Sequence, residues 1–353
     1  MRILMTADPY LPVPPRLEGG IERMVDVLVR GLVRRGHDVT VFAHPASTTP
    51  AKLVPYGAPP HVGRGPRMSE IMQVAGGLWR RRSEADLIHS FGRLAALFPV
   101  LPIRRLPKIQ SYHRSPVPWA GVRNAMRLAG PSLCFTACSA SVSRPSPSHG
   151  ALGGRWHTIH NAVEIGRYRF VARVAADAPF VFLGRLERIK GVHHAIAIAR
   201  AAGRPLVIAG PRAEAGPEAE YFDRQVAPEI DGSAVRYVGP VDDAQKSDLL
   251  GTAIALLMPV DFDEAFGLVM IEAMACGTPV VAFARGGIPE VIREGVNGML
   301  CRTVEEAVAA AAGLDRIDRA GVRADCEARF SEDVMVSAYE RLYREVVAAR
   351  GVA

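Results

Sequence analysis

DEAFGLVMIEAMACGTPVVAFARGGIPEVI, residues 263–292, carries the alternation on which the fold reading turns. A compact apolar helix pattern opens near Phe266 and is stopped by Gly277-Thr278-Pro279, residues that end helices. PVVAF (279–283) then runs as a short, β-branched strand. A helix closed by glycine and delivered into a buried strand is the repeating unit of an open parallel sheet. Two carboxylates bracket the stretch, Glu264 ahead of the helix and Glu272 on it. The plain reading is a cap and a solvated face. The sharper one is a pair of anchors for the two ends of one elongated polar ligand.

The same alternation extends in both directions. MRILMTA (1–7) is a buried-strand pattern. In IERMVDVLVRGLVRRG (21–36) the apolar residues recur at helical spacing up to Gly36. DVTVFA (38–43), ADLIHSFG (85–92) and PKIQSYH (107–113) read as further strands. The regularity lapses over 160–180, which reads as a linker. A second series follows: FVFLGRL (180–186), a helix over 190–203, PLVIAG (205–210), VRYVGPV (235–241) and AIALLMPV (253–260). Ser331-Glu332-Asp333 is a helix start with acids in its first turn.

The expectation is two Rossmann-like α/β domains, 1–165 and 175–330, with parallel sheets facing across a ligand cleft. A C-terminal helix over 331–353 is expected to cross back to the first domain. The chain has 353 residues, too many for one ordinary core, with 49% hydrophobic and 22% charged residues. No apolar run approaches a membrane span, and MRILMTADPY does not read as a signal peptide. Five scattered cysteines form no metal-ligand spacing, consistent with reduced thiols in the cytoplasm.

Net charge is +7, distributed as +13 over residues 1–163 and −6 over 164–353. Arg80-Arg81-Arg82, Arg104-Arg105-Lys108 and Arg123/Arg127 supply much of the excess. A solvated basic face or an anionic membrane surface fits this, and no nucleic-acid module accompanies it. MSEIMQVAGGLWRRR (68–82), with Trp79 and three arginines at one end, suits peripheral contact with an anionic membrane. Its adjacent Gly76 and Gly77 weaken it as a helix.

Four loops hold the residue types of a binding site at strand ends. In LEGGIE (17–22), Gly19 and Gly20 precede a helix, so they are either a flexible turn or a close backbone approach to a phosphate. In SYHRS (111–115), His113 is either structural or in reach of a sugar hydroxyl or a leaving phosphate. His89 has similar placement, and His37 reads as structural. In FLGRLERIKG (182–191), Arg185 and Lys190 flank a strand-to-helix loop, a fork and a point charge suited to a diphosphate.

The fourth loop is the opening stretch. About eight helical residues span about 12 Å, comparable to the separation of hexose and ribose in a nucleotide sugar. The N–H groups of Phe266, Gly267 and Leu268 would meet the phosphates between them. Asp261 and Asp263 spell D-x-D, a short pattern that recurs by chance, and no metal is assigned to it.

Taken in order, these motifs resemble the retaining GT-B glycosyltransferases of family four. The Glu264–seven residues–Glu272 spacing resembles that family's signature. GGIERMVDVLVRGLVRRGHDVTVFA, HNAVEIGRY, GRLERIKG and IREGVNGML resemble its other conserved segments along most of the chain. Ala162 and Glu164 depart from the family's Asn-Gly-Val-Asp hinge, and Arg114 follows His113 where many members have Asp.

The resemblance implies a retaining hexosyltransferase moving a sugar from a nucleoside diphosphate sugar, UDP favoured over GDP, to an acceptor hydroxyl on a small molecule, lipid or saccharide. It implies an acceptor-binding N-terminal domain and a donor-binding C-terminal one. It makes Arg185 and Lys190 the diphosphate cations, Glu264 the sugar anchor with the Phe266–Val269 backbone, and Glu272 the ribose anchor. Gly19 and Gly20 would close over the phosphates and His113 lie near the sugar. No cofactor and no metal are implied. An epimerase of the same fold and a non-catalytic nucleotide-sugar-binding protein are the rival readings. No G-x-G-x-x-G follows the first strand, which argues against a dehydrogenase.

Overall fold

The computed structural model describes residues 1–15, 19–57, 68–143 and 154–349. Leu17 and Glu18 of the Gly-Gly loop lie outside the described residues. So do the part of the Pro50–Pro66 stretch beyond Gly57 and residues 144–153 of SRPSPSHGALGG, which either shape an acceptor site or only connect elements, and residues 350–353. The chain divides into two units, Met1–Ala162 together with Glu332–Ala353, and Val163–Ser331.

The first unit is built on β1 (Arg2–Thr6), β2 (Asp38–Ala43), β3 (Lys52–Pro55), β4 (Leu87–Ser90), β5 (Lys108–Tyr112), β6 (Leu133–Ala137) and β7 (Arg155–Thr158). Among the described residues they form one sheet, ordered β3-β2-β1-β4-β5-β6-β7, with every pairing parallel. The order reverses between β1 and β4, which pair Ile3 with Leu87. The second unit holds β8 (Phe180–Leu183), β9 (Leu206–Ala209), β10 (Val235–Tyr237), β11 (Ala255–Met258), β12 (Val280–Phe283) and β13 (Gly298–Cys301). Their order, β10-β9-β8-β11-β12-β13, reverses between β8 and β11. Such reversals open a crevice at the carboxyl ends of the strands, because the flanking loops diverge to opposite faces.

Strands covered on both faces read as unbroken apolar runs. β9, β11 and β12 are buried at every position. Edge strands β3 and β7, KLVP and RWHT, are exposed at both ends and give no such run, so the local pattern did not announce them. β6 and β13 were not anticipated either. They form because backbone groups beside an established strand are best satisfied by joining it.

Helix Met68–Arg81 forms despite its paired glycines. A Cβ on Gly77 would stand 2.5 Å from the Phe42 ring, so the glycine admits the helix to the sheet rather than breaking it. Val74, Ala75 and Leu78 face inward, while Met68, Met72 and Trp79 remain exposed, Trp79 with Arg82 stacked 4.0 Å from its ring.

Lys108 corrects the reading of the basic cluster. It is fully buried, and its Nζ donates to the carbonyls of Val100, Leu101 and Ile103 at 3.2, 3.1 and 2.8 Å. Those carbonyls lie at and just beyond the end of the turn Leu94–Val100, where those of Val100 and Ile103 also accept from the Ile103 and Leu106 N–H groups. Burial pushes the amine down to about 8. This cation serves the fold and not the surface field.

In the second unit, the irregular segment after Ala162 is held by two arginines of the helix Arg319–Phe330. Arg319, 8% exposed, donates to the carbonyls of Val171, Ala253 and Gly251 and to Thr278 Oγ1. Arg323 donates to the Tyr168 carbonyl at 3.0 Å. Guanidinium groups suit this work because five fixed donors satisfy several carbonyls at once.

The helix Glu332–Ala348 packs into the first unit along Met335, Val336, Tyr339, Leu342 and Tyr343. Glu340 accepts from Arg35 and bonds His37, each at 3.1 Å, so His37 is structural. His89 is structural too. Its Nδ1 meets Tyr343 Oη at 2.5 Å and its Nε2 meets Ser111 Oγ at 2.6 Å, with Thr136 and Tyr339 completing the network.

Burial holds the His89 imidazole well below its ordinary 6.5, and His113 pushes the same way. The folded chain therefore keeps His89 neutral, whereas the unfolded chain protonates it below about pH 6.5. Stability from this site is complete above that pH and declines below it. Thermal unfolding midpoints should accordingly fall between pH 7 and pH 5. Tyr343→Phe, which strips Nδ1 of its partner, should cost about 1–3 kcal/mol in denaturant unfolding. A flat pH profile would contradict a neutral, buried His89.

Candidate active site

In the second unit the loops leaving β8 and β11 emerge side by side, because those strands are hydrogen-bonded neighbours with Leu256 opposite Val181. The first loop carries Gly184, Arg185 and the short turn Arg188–Lys190. The second carries Asp261 through Gly267 and feeds the helix Leu268–Ala275. Lys190 Nζ and Glu264 Oε2 meet across them at 2.8 Å, with side chains 21% and 14% exposed. The ammonium also stands 4.5 Å from the centre of the Phe262 ring, a cation–π contact. The expected diphosphate cation and the expected sugar anchor are therefore direct partners.

Glu264 is fixed on its other sides. Its Oε1 accepts from the Ala265 N–H at 3.1 Å, and its carbonyl accepts from the Gly287 N–H at 2.7 Å. A Cβ on Gly286 would lie 2.3 Å from that carbonyl oxygen, so the ARGG turn after β12 must have glycine there to approach. That turn, conspicuous in the sequence, thus sets the Glu264 backbone.

The helix begins at Leu268, not at Phe266. Gly267 is its N-cap in the left-handed region at φ 84°. Phe266 is buried against Phe330, its ring 5.8 Å away. The first-turn N–H groups of Leu268 and Val269 have no carbonyl within the helix by geometry. The positive end of the helix therefore lies four residues along the chain from Glu264.

Glu272 lies one turn in, only 8% exposed. Its Oε1 accepts from Lys246 Nζ at 2.8 Å, and Lys246 also lies 3.3 Å from Asp243. Lys246, on the helix Asp243–Thr252, was not anticipated; its only signal was a cation in an otherwise acidic segment, DDAQKSD. Arg185 is the most open of the group, 54% exposed and 2.7 Å from Glu187.

The remaining expected residues belong to the first unit. Gly19 caps the helix Gly20–Arg34 at φ 137°, where a Cβ would stand 2.7 Å from Pro15 and 2.9 Å from Glu22 Oε2. Glu22 is itself buried, so the carboxylate at this helix start is the chain's own. Burial raises its pKa above the ordinary value, and so it does for Asp8. Asp8, Thr6, Tyr56, Glu70, Gly92 and Arg93 line a pocket at the β1/β4 reversal.

His113 follows β5 and stacks at 5.4 Å on Phe91. Neither ring nitrogen, nor Asn161 Oδ1, has a hydrogen-bond partner among the described residues. Burial pushes the imidazole down to about 4, with the Asn161 amide pulling weakly upward from beside the ring. At neutral pH it is an uncharged group whose only side-chain hydrogen-bonding neighbour among the described residues is Asn161, an arrangement short of the pairing usual for a buried side chain.

Two family models match in succession and span most of the chain: Glycosyltransferase Family 4 over residues 18–167, and Glycosyl transferases group 1 over residues 169–325. The chain is 29% identical over 366 residues to a glycogen synthase of Mycobacterium tuberculosis, covering 90% of this chain and 86% of that protein. It is 27% identical over 337 residues to a D-inositol 3-phosphate glycosyltransferase of Catenulispora acidiphila, covering 80% and 78%. Among solved structures, a sucrose-phosphate synthase from Thermosynechococcus elongatus superposes with a TM-score of 0.80 at 20% identity, covering 99% of both chains.

Breaking a buried ion pair from one side strands the other charge. Lys246→Met should therefore destabilise the second unit by roughly 3 kcal/mol, measured in denaturant. The double variant Lys246→Met/Glu272→Gln should recover part of that loss. Equal stability of single variant and parent would show that Glu272 does not depend on Lys246.

Proposed function

The chain belongs to glycosyltransferase family 4, an enzyme with the GT-B fold, and we propose that it transfers a hexose from a nucleoside diphosphate sugar to an acceptor hydroxyl with retention of configuration. The observation that carries the reading is the Lys190–Glu264 pair beside the start of the helix Leu268–Ala275. One short path joins a cation, a carboxylate and a helix N-terminus, the three features a sugar diphosphate requires.

Lys190 has three N–H donors and spends one on Glu264, leaving two for phosphate oxygens. Arg185, paired only at the rim, adds a planar fork to the same diphosphate. The Leu268 and Val269 N–H groups, with Phe266 and Gly267 shaping the approach, take further phosphate oxygens. Glu264 accepts from sugar hydroxyls through the lone pairs that Lys190 leaves open. Glu272, held by Lys246, accepts from the ribose hydroxyls. As the glycosidic bond breaks, negative charge grows on the leaving diphosphate, and these fixed donors stabilise it more than the bound donor. The leaving phosphate takes the acceptor proton, so no protein nucleophile is invoked. Positive charge at the diphosphate comes from side chains, and no metal enters the transfer.

For the first unit we propose acceptor binding in the pocket around Asp8, Tyr56 and Arg93. We further assign His113 to a sugar hydroxyl and the Gly19–Gly20 backbone to phosphate. The helix Met68–Arg81, with Met68, Met72 and Trp79 exposed beside Arg80 and Arg81, is proposed to touch anionic membrane.

Arg185→Ala and Lys190→Ala should each lower kcat by about 100- to 1000-fold; the exposed Arg185 variant should leave the unfolding midpoint nearly unchanged, whereas Lys190→Ala, which strands Glu264, should also lower it. Near-normal turnover in both would refute the diphosphate assignment. UDP, our first choice of nucleotide, should raise the unfolding midpoint more than GDP, and Glu272→Ala should abolish that rise. Donor epimerised without any acceptor would favour the epimerase alternative. Co-sedimentation should increase with phosphatidylserine content and fall in Trp79→Ala/Arg80→Ala; indifference to anionic lipid removes the membrane contact.

A further inference from the structure

The helix Val192–Ala201 starts in a way that brings three metal-binding side chains together. Gly191 caps it in the left-handed region at φ 76°, where a Cβ would stand 1.9 Å from the Pro259 carbonyl oxygen. Only glycine lets the two segments approach this closely. Two residues along, the Asp261 N–H donates to the Ile189 carbonyl at 2.8 Å. Tied at both points, the chain lays the Asp261 carboxylate over the first turn of the helix, which presents His193 and His194.

His194 Nε2 lies 3.0 Å from Asp261 Oδ2, and His193 Nε2 lies 3.7 Å from the same oxygen. The two imidazole centroids are 4.0 Å apart, and one ligand atom from each of the three residues falls within 4.8 Å of the others. A hydrogen bond accounts for His194 but not for the aim of His193, which stands beyond hydrogen-bond reach. Around a tetrahedral ion with bonds of about 2.0–2.2 Å, neighbouring donor atoms sit about 3.4 Å apart. The observed spacings bracket that value.

The support behind the ligands is also present. His193 Nδ1 bonds Tyr221 Oη at 2.8 Å, and the same hydroxyl accepts from the His193 N–H at 3.3 Å. With its proton on Nδ1, His193 keeps the Nε2 lone pair for a metal, the arrangement that orients metal-bound imidazoles elsewhere. The His194 ring rests on Phe283 at 5.6 Å. The three side chains are 22%, 27% and 35% exposed, so an ion here keeps at least one position open to water.

We propose that His193, His194 and Asp261 form a binding site for a divalent first-row transition metal, zinc in type. Two imidazoles and one carboxylate select such ions over magnesium or calcium, which prefer all-oxygen shells. Asp261 is thereby the carboxylate of the D-x-D pattern that matters, with histidines rather than Asp263 as its co-ligands. The ion takes no part in the sugar transfer; it clamps the loop after β11 to the helix after β8.

Cobalt(II) titration of the metal-stripped full chain tests this without any activity measurement. One equivalent should produce a visible ligand-field band, displaced by zinc(II), and zinc(II) should raise the unfolding midpoint while magnesium(II) does not. His194→Ala and Asp261→Asn should each abolish the band, and Tyr221→Phe should weaken affinity about 10- to 100-fold. A band that persists in both ligand variants, no saturable cobalt binding, or an equal response to magnesium would overturn the site. All five cysteines are buried, so thiol ligation does not confuse the native titration.

Discussion

The contact between Lys190 and Glu264 depends on one constraint, the parallel pairing of β8 with β11. Parallel neighbours release their loops at the same edge of the sheet, and at the reversal of strand order no crossover helix separates them. Residues 74 positions apart in the chain are thereby brought to 2.8 Å. Everything else in the second unit's site is arranged to keep that geometry. The Gly286 turn presses on the Glu264 backbone, Gly191 presses on Pro259, and Gly267 opens the helix that follows Glu264 in the chain.

The site holds its charges in mutual pairs rather than bare. Lys190 with Glu264, Lys246 with Glu272 and Arg185 with Glu187 each join an acid to a base. A partly buried charge is costly without such a partner. Pairing keeps the side chains positioned while leaving lone pairs and N–H groups for a ligand that is itself both polyanionic and rich in hydroxyls. The first unit handles its polar interior differently. There His89, Ser111, Thr136, Tyr339 and Tyr343 form a neutral network, and it ties the final helix to the sheet through groups that stay uncharged at neutral pH. His113 stands at the border of that network through Phe91, with the Asn161 side chain beside its ring.

Much of this was readable from local pattern. Buried parallel strands such as LVIA and VVAF announce themselves because both faces must be apolar, and amphipathic helices announce themselves by spacing. Loops after strands drew attention to Arg185, Lys190 and Glu264, and the acid-to-acid spacing drew it to Glu272 on the helix, because charged residues at strand ends suit a polar ligand. Edge strands KLVP and RWHT were silent, since a strand with one neighbour and an open face needs no apolar run. Lys108 was misread for a related reason: a lysine near two arginines looks like surface charge until three carbonyls are found around its ammonium.

The sequence by itself determined the two series of strands and helices, the irregular stretch between them, and the chemical types at the strand ends, because each depends on residues close along the chain. Only the tertiary structure decided the partnerships: Glu264 with Lys190, Glu272 with Lys246, and Asp261 with His193 and His194. Those pairs are separated by between 26 and 74 positions. Strand order sets their meeting, and strand order is a property of the assembled sheet, which minimises unpaired backbone over the whole domain rather than along any one segment.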